Sequence, residues 1–211
     1  MFFLCYRPTS RFMKKEQQNN KKDLIMSAAL KVMTKKGYYG STMDDIVLES
    51  NMSKGAIYHY YESKKEIYLE LIVYLESKYT DMFATVNKES TSAKKLKKLF
   101  TIWSDQLEKE PDFFQSFSIF QSMSGHDKDF KQAMQRMYSR FQKFIELIII
   151  EGIKSKEFKK INPKTSALSL ILNLDGISWF SLFESKNLDA KSYIDQMSDY
   201  ILNTYISKEG K

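Results

Sequence analysis

Two stretches decide the fold: GYYGSTMDDI at residues 37–46 and NMSKGAIYHYYESKKE at residues 51–66. Upstream of the first, Ile25, Ala28, Ala29, Val32 and Met33 follow the i, i+3, i+4, i+7, i+8 spacing of one helix face. Lys35 and Lys36 suit the negative C-terminal end of that helix, and Gly37 supplies a left-handed residue to stop it. Thr42-Met-Asp-Asp45 then reads as a capping box, in which hydroxyl and carboxylate satisfy amides that a helix start leaves exposed. Asp44 and Asp45 are therefore better read as capping residues than as metal ligands. The helix they open carries Met43, Ile46 and Val47 on one face and runs to about Ser50. Asn51 and Met52 make a short turn, Ser53 caps a third helix over 54–61, and Ser63-Lys-Lys-Glu66 is a second capping box opening a helix to about Thr85. Two short helices joined by a tight turn on a longer one match the helix-turn-helix arrangement, and periodicity alone fits any small helical bundle equally.

The remaining chain reads as helix throughout. Leu96, Leu99, Phe100, Trp103 and Leu107 form one stripe, and Pro111 opens a helix with Phe113, Phe117 and Phe120 inward. A long helix is expected over 128–154, with Phe130, Met134, Met137, Phe141, Phe144 and Ile148 on its apolar face. Asn162-Pro163 signals another helix start, with Leu168, Ile171, Leu172, Trp179, Leu182 and Phe183 as its stripe. The last helix, about 190–206, shows Tyr193, Ile194, Met197, Ile201 and Tyr205. The apolar run 167–183 is short for a bilayer and broken by Asn173 and Asp175, so it predicts a buried helix and no membrane contact.

Composition sets outer limits. With 7 Gly and 3 Pro in 211 residues, long uninterrupted helices are easy. A single cysteine, Cys5, excludes an intramolecular disulfide framework and a cysteine-built zinc site, which is a cytoplasmic pattern. Histidines are two, His59 and His126; with no Ser/His/Asp grouping and no phosphate-cradling Gly loop, neither an enzyme nor a metal or cofactor is expected. The net charge of +7 is unevenly spread: residues 1–66 hold 12 of the 33 Lys/Arg against 7 of the 26 Asp/Glu, leaving 21 against 19 elsewhere. A basic first third suits a polyanion partner, though solvated lysines give the same balance. Residues 1–20 read as a flexible extension, with Met13 a plausible alternative start and Lys14, Lys15, Lys21 and Lys22 available to phosphates.

The segment from Leu24 to Leu71 resembles the N-terminal domain of TetR/AcrR-family regulators: the Gly-aromatic helix end, the Thr-capped second helix, Ser-Lys-Gly, Ile-Tyr, then Ser-Lys-Lys-Glu. Tyr61 departs from the pattern, which has Phe there; a Tyr fits if its hydroxyl reaches solvent or a partner. The resemblance implies an all-α protein with a three-helix helix-turn-helix domain over 21–66, joined by a long helix to a ligand-binding and dimerisation bundle over 67–211. It implies double-stranded operator DNA as partner, with Thr42, Tyr58, His59 and Lys64 at phosphates and Lys54, Gly55 and Ala56 near base edges. Ser53 and Tyr60 belong to the same expected surface. Independently of the family, Ile57 and Tyr61 lie four apart and should face the core, leaving Lys54, Ala56, Tyr58 and His59 outward.

In the second domain, the large adaptable side chains Trp103, Phe117, Phe120, Met123, Met137 and Phe141 suit a pocket for a small hydrophobic or aromatic effector, with Asp175 and Trp179 beside it. Asp175 shares a stripe with apolar residues and, if buried, needs a partner: a ligand, an interface group or, on a rotated helix, water. The family's pairing through its last two helices implies a homodimer using Leu172, Gly176, Phe183, Tyr193, Met197 and Ile201. The expected function is a repressor released from a palindromic operator by its effector; an activator or a ligand-independent DNA binder of the same fold are the alternatives.

Overall fold

The computed structural model of the chain describes the backbone of residues 10–181 and 190–206. Among the described residues there are nine helices, α1 (Ser10–Gly40), α2 (Met43–Ser50), α3 (Lys54–Tyr58), α4 (Lys64–Val86), α5 (Ser92–Lys109), α6 (Pro111–Ser124), α7 (Lys128–Lys154), α8 (Pro163–Ser181) and α9 (Ala190–Tyr205). An isolated bridge joins Phe158 to Ile206, and none of the described helices is long and apolar enough to cross a membrane. The backbone is already helical at Ser10, inside the stretch that composition predicts as a flexible arm. Contacts group the chain into two compact units, one ending at Leu71 and the other beginning at Ile72.

The first unit is built as its apolar spacing dictates. Ile25, Ala28, Ala29, Val32 and Met33 of α1 are buried together with Ile46, Ile57, Tyr61, Ile67, Tyr68 and Leu71. Removing each large side chain from water stabilises the unit by roughly 1.5–3 kcal/mol. α1 breaks at Gly37, whose φ of 67° and ψ of 175° place it in a region that side chains other than glycine's rarely enter. At the other end of α2, Asn51 takes the left-handed conformation (φ 54°, ψ 26°) and its N–H closes on Leu48 O. α3 is one turn shorter than its spacing predicts, but Tyr61 N still donates to Ile57 O at 3.0 Å, so both residues keep the inward face.

In the second unit α5 packs on α7 and α9, and α7 on α6 and α8, while Tyr79 and Phe83 of α4 stack on rings of α5, α6 and α7. α6 and α8 start where their proline and capping signals predict, with Pro111 at the first turn and Asn162 Oδ1 accepting from Thr165 N at 3.0 Å; α7 starts at its expected position, where the structure adds a cap from Asp127. One cap is supplied from far along the chain. The Glu157 carboxylate accepts from Ser92 N (2.8 Å) and Ala93 N (2.9 Å) at the start of α5.

α8 departs from its predicted stripe. Ala167, Leu170, Ile171, Leu174 and Ile177 are buried, whereas Leu168, Leu172 and Trp179 are exposed at 44%, 61% and 50%. The helix is apolar on nearly all sides, so its spacing is compatible with either face turning inward. Leu182 and Phe183 lie outside the described residues.

Candidate nucleic-acid interface and effector cavity

The expected DNA-facing residues fall into two groups: those whose side chains also bond within the motif, of which Thr42, Ser53 and Lys54 stay exposed, and those that only present a surface. Thr42 belongs to the first. Its hydroxyl accepts from Asp45 N (3.1 Å) and donates to Asp45 Oδ2 (2.9 Å), while Thr42 N donates to the same oxygen at 2.9 Å. Lys36 Nζ adds a bond to Asp45 Oδ1 at 2.7 Å, and this bond, with those from Thr42, lowers the Asp45 carboxyl to about 2. Ser53 caps α3, accepting from Ala56 N at 3.2 Å. Lys54 bonds Asp44 at 2.7 Å, tying the start of α3 to the start of α2 and raising the Lys54 pKa.

Lys64 differs most from expectation. Its Nζ donates to Tyr38 O and Ser41 O, both at 2.6 Å, and sits 4.5 Å from the centre of the Tyr38 ring. Burial pushes its pKa below the usual lysine value. The carbonyls left open where α1 breaks at Gly37 draw the ammonium inward, where it acts as an internal clasp. Beside it, buried Tyr68 Oη donates to Ser41 Oγ at 3.0 Å, a bond that residue spacing does not reveal.

The second group is the surface itself. Gly55 and His59 are exposed, Tyr58 is 42% exposed, and Ala56 and Tyr60 are half-buried. His59 and Tyr60 meet edge to face with ring centres 5.3 Å apart. A Cβ added to Gly55 meets nothing within 4 Å, so no packing within the chain requires glycine there. Small side chains and exposed ring groups at the start of a short helix suit close approach to a groove.

Tyr61 overturns the condition set for it. The ring is buried, and its hydroxyl makes no hydrogen bond with the protein. Burial first, then Glu70, raises its pKa to about 12. An unpaired buried hydroxyl costs about 1–3 kcal/mol, so Tyr61→Phe is expected to stabilise the first unit by about 1 kcal/mol, read as a higher urea midpoint at unchanged slope.

In the second unit, Trp103, Phe117, Met137, Phe141 and Asp175 do converge, joined by Tyr79 and Tyr138, around a cavity of about 10 Å³. That is room for a single water at most. Phe120 and Met123 are buried elsewhere in the core, Phe120 stacking on Phe130 with ring centres 6.1 Å apart, and Trp179 faces outward; none of the three lines the cavity. Tyr79 carries no polar signal in the sequence and stands at the centre of the ring cluster. Trp103 Nε1 donates to Ser178 Oγ at 3.1 Å, which satisfies the indole.

Half-buried Asp175 accepts from Tyr138 Oη at 2.9 Å, and Tyr138 Oη accepts from Gln121 Nε2 at 2.7 Å. Burial raises its carboxyl to about 6, partly opposed by the bond from Tyr138. The folded state thus holds a proton that the unfolded chain, with an ordinary carboxyl near 3.8, has released. Stability is therefore expected to fall as pH rises from about 4 to about 6 and to level off above that. Asp175→Asn is expected to remove this fall, seen in parent-minus-variant Tm plotted against pH.

Of the residues expected at a dimer interface, Leu172 and Tyr193 are exposed, and Gly176 and Met197 are half-buried with open space over Gly176. Ile201 is only 8% exposed and belongs to the unit's own core, because α9 turns it inward with Ile194 and Leu202. Phe183 is outside the described residues.

Comparison with known proteins agrees with this geometry. Residues 25–71 match the family model described as bacterial regulatory proteins, tetR family. An HTH-type transcriptional regulator encoded 3′ of lacX in Lactococcus lactis subsp. lactis is 31% identical over 144 residues, 65% of this chain and 74% of that one. The biofilm operon icaADBC negative regulator IcaR of Staphylococcus epidermidis is 43% identical over 47 residues, 22% of this chain and 25% of that one. Among solved structures, a candidate regulator of fatty acid metabolism from Clostridium perfringens superposes with a TM-score of 0.74 at 27% identity, covering 88% of this chain and 100% of that one.

A helix-turn-helix with its second helix open to solvent, followed by an all-helical unit, defines a DNA-binding transcription regulator and not an enzyme. The chain belongs to the TetR family.

Proposed function

We propose that the protein is a cytoplasmic repressor that binds a palindromic operator as a homodimer and leaves it when a small hydrophobic effector enters the second unit. Residues 21–66 would act as the DNA-binding domain and 67–211 as the effector-binding and dimerisation domain. The observation that carries the reading is the division of labour along α3. Ile57 and Tyr61 are buried, whereas Lys54, Gly55, Tyr58 and His59 stay exposed, as a groove-reading helix requires. IcaR, 43% identical over 47 residues, is a negative transcriptional regulator.

Dimerisation draws support from the exposed apolar stripe Leu168, Leu172 and Trp179 on α8, with Tyr193 on α9. Effector response draws support from the aromatic cavity: it is nearly closed, so a ligand must part its walls, and an effector acts by favouring the state with the weaker operator affinity. Footprinting on DNA flanking its own gene is expected to show one protected palindrome, and light scattering a particle of twice the chain mass. Protection without two-fold symmetry, or a monomer on DNA, would remove the operator and dimer claims.

A further inference from the structure

The cavity in the second unit has a chemical imbalance. The Asp175 carboxylate borders it, and among the described residues its hydrogen bond is to a neutral phenol, Tyr138, and it forms no ion pair. Of the two arginines that flank Tyr138, Arg140 pairs with Glu76 at 2.6 Å and Arg136 is exposed. Apart from Met137, the remaining walls are π-systems. Tyr79 stacks against Phe141 with ring centres 5.0 Å apart, against Trp103 at 6.2 Å and against Phe117 at 6.3 Å.

Ring faces carry negative potential, so a carboxylate among them is poorly solvated and an anionic ligand head would be repelled by both. A cation satisfies both at once, by charge against the carboxylate and by cation–π attraction to the faces. Gln121, through Tyr138, fixes the direction of the carboxylate, and unbranched Met137 is the wall that can rotate aside to admit a ligand.

Resting on the effector reading above, we infer that this cavity takes a hydrophobic organic cation, a quaternary ammonium or protonated amine bearing an aromatic group. Asp175 is its counter-charge, and Tyr79, Trp103, Phe117 and Phe141 are its walls.

Calorimetry on the full chain with benzyltrimethylammonium and its uncharged isostere neopentylbenzene tests this directly. The cation is expected to bind about tenfold more tightly than the isostere. Asp175→Asn, which keeps the shape and the acceptor for Tyr138, is expected to lose about that factor for the cation and nothing for the isostere. Tyr138→Phe, which removes the competing neutral donor, is expected to bind the cation at least as well as the parent. Equal affinities, tighter binding of the isostere, or an Asn variant with parental cation affinity would overturn the cation assignment. A long-chain anion, oleate, separates the two levels: operator release by oleate with no cation binding would sink the cation class and leave the effector reading standing. Operator release by the cation, abolished in Asp175→Asn, supports both.

Discussion

Gly152→Ala is expected to destabilise the second unit by about 1–3 kcal/mol, the usual effect of overpacking a filled core. At an exposed helix position the same change would stabilise by up to about 1 kcal/mol, because alanine is the better helix former. The sign here is set by Phe158. A methyl group built on Gly152 collides with one edge of the Phe158 ring, which is buried and stands edge-on to Tyr205 with ring centres 6.2 Å apart. Phe158 N donates to Gly152 O at 2.9 Å, and the bridge to Ile206 holds the same residue from the other side. The ring or the backbone must therefore shift inside a filled core. Thermal unfolding checks this: each kcal/mol corresponds to about 2–4 °C in a chain of this size. A rise in Tm would show that the Phe158 ring gives way at little cost.

Lys64→Ala is expected to cost the first unit about 1–3 kcal/mol, because the Tyr38 and Ser41 carbonyls lose a charged donor at 2.6 Å each. Operator affinity would fall with the folded fraction, but the slope of log affinity against log salt would stay as in the parent. A lysine bound to a phosphate behaves in the opposite way, leaving stability alone and lowering the slope by about one. Urea unfolding and a salt titration of operator binding, made on the same variant, separate the two roles. Unchanged stability with a reduced slope would return Lys64 to the DNA surface.

Much of the architecture was legible before any coordinates. α7 begins and ends where its stripe predicts, and the capping box at Thr42 forms as its spacing requires. These features are satisfied within four residues of the chain, so a linear pattern contains all the partners. The aromatic cavity was half legible. Trp103, Phe117, Met137, Phe141 and Asp175 meet there, but Phe120, Met123 and Trp179 have the same composition and lie elsewhere. Composition identifies what could line a pocket and not which side chains converge.

What the sequence by itself determined is the order of helices, the caps of α2, α3 and α8, and the assignment of α3 as a short helix with Ile57 and Tyr61 inward, because each follows from i, i+3 and i+4 relations. Tertiary structure alone decided three other matters. It turned α8 so that Leu172 faces out and Ile171 in, a choice between two apolar faces that periodicity leaves equal. It gave Asp175 to Tyr138, 37 residues away. It also drew the Lys64 ammonium back onto carbonyls 23 and 26 residues upstream, since a charge settles on whichever unsatisfied groups the fold brings within reach, and those are fixed through space and not along the chain.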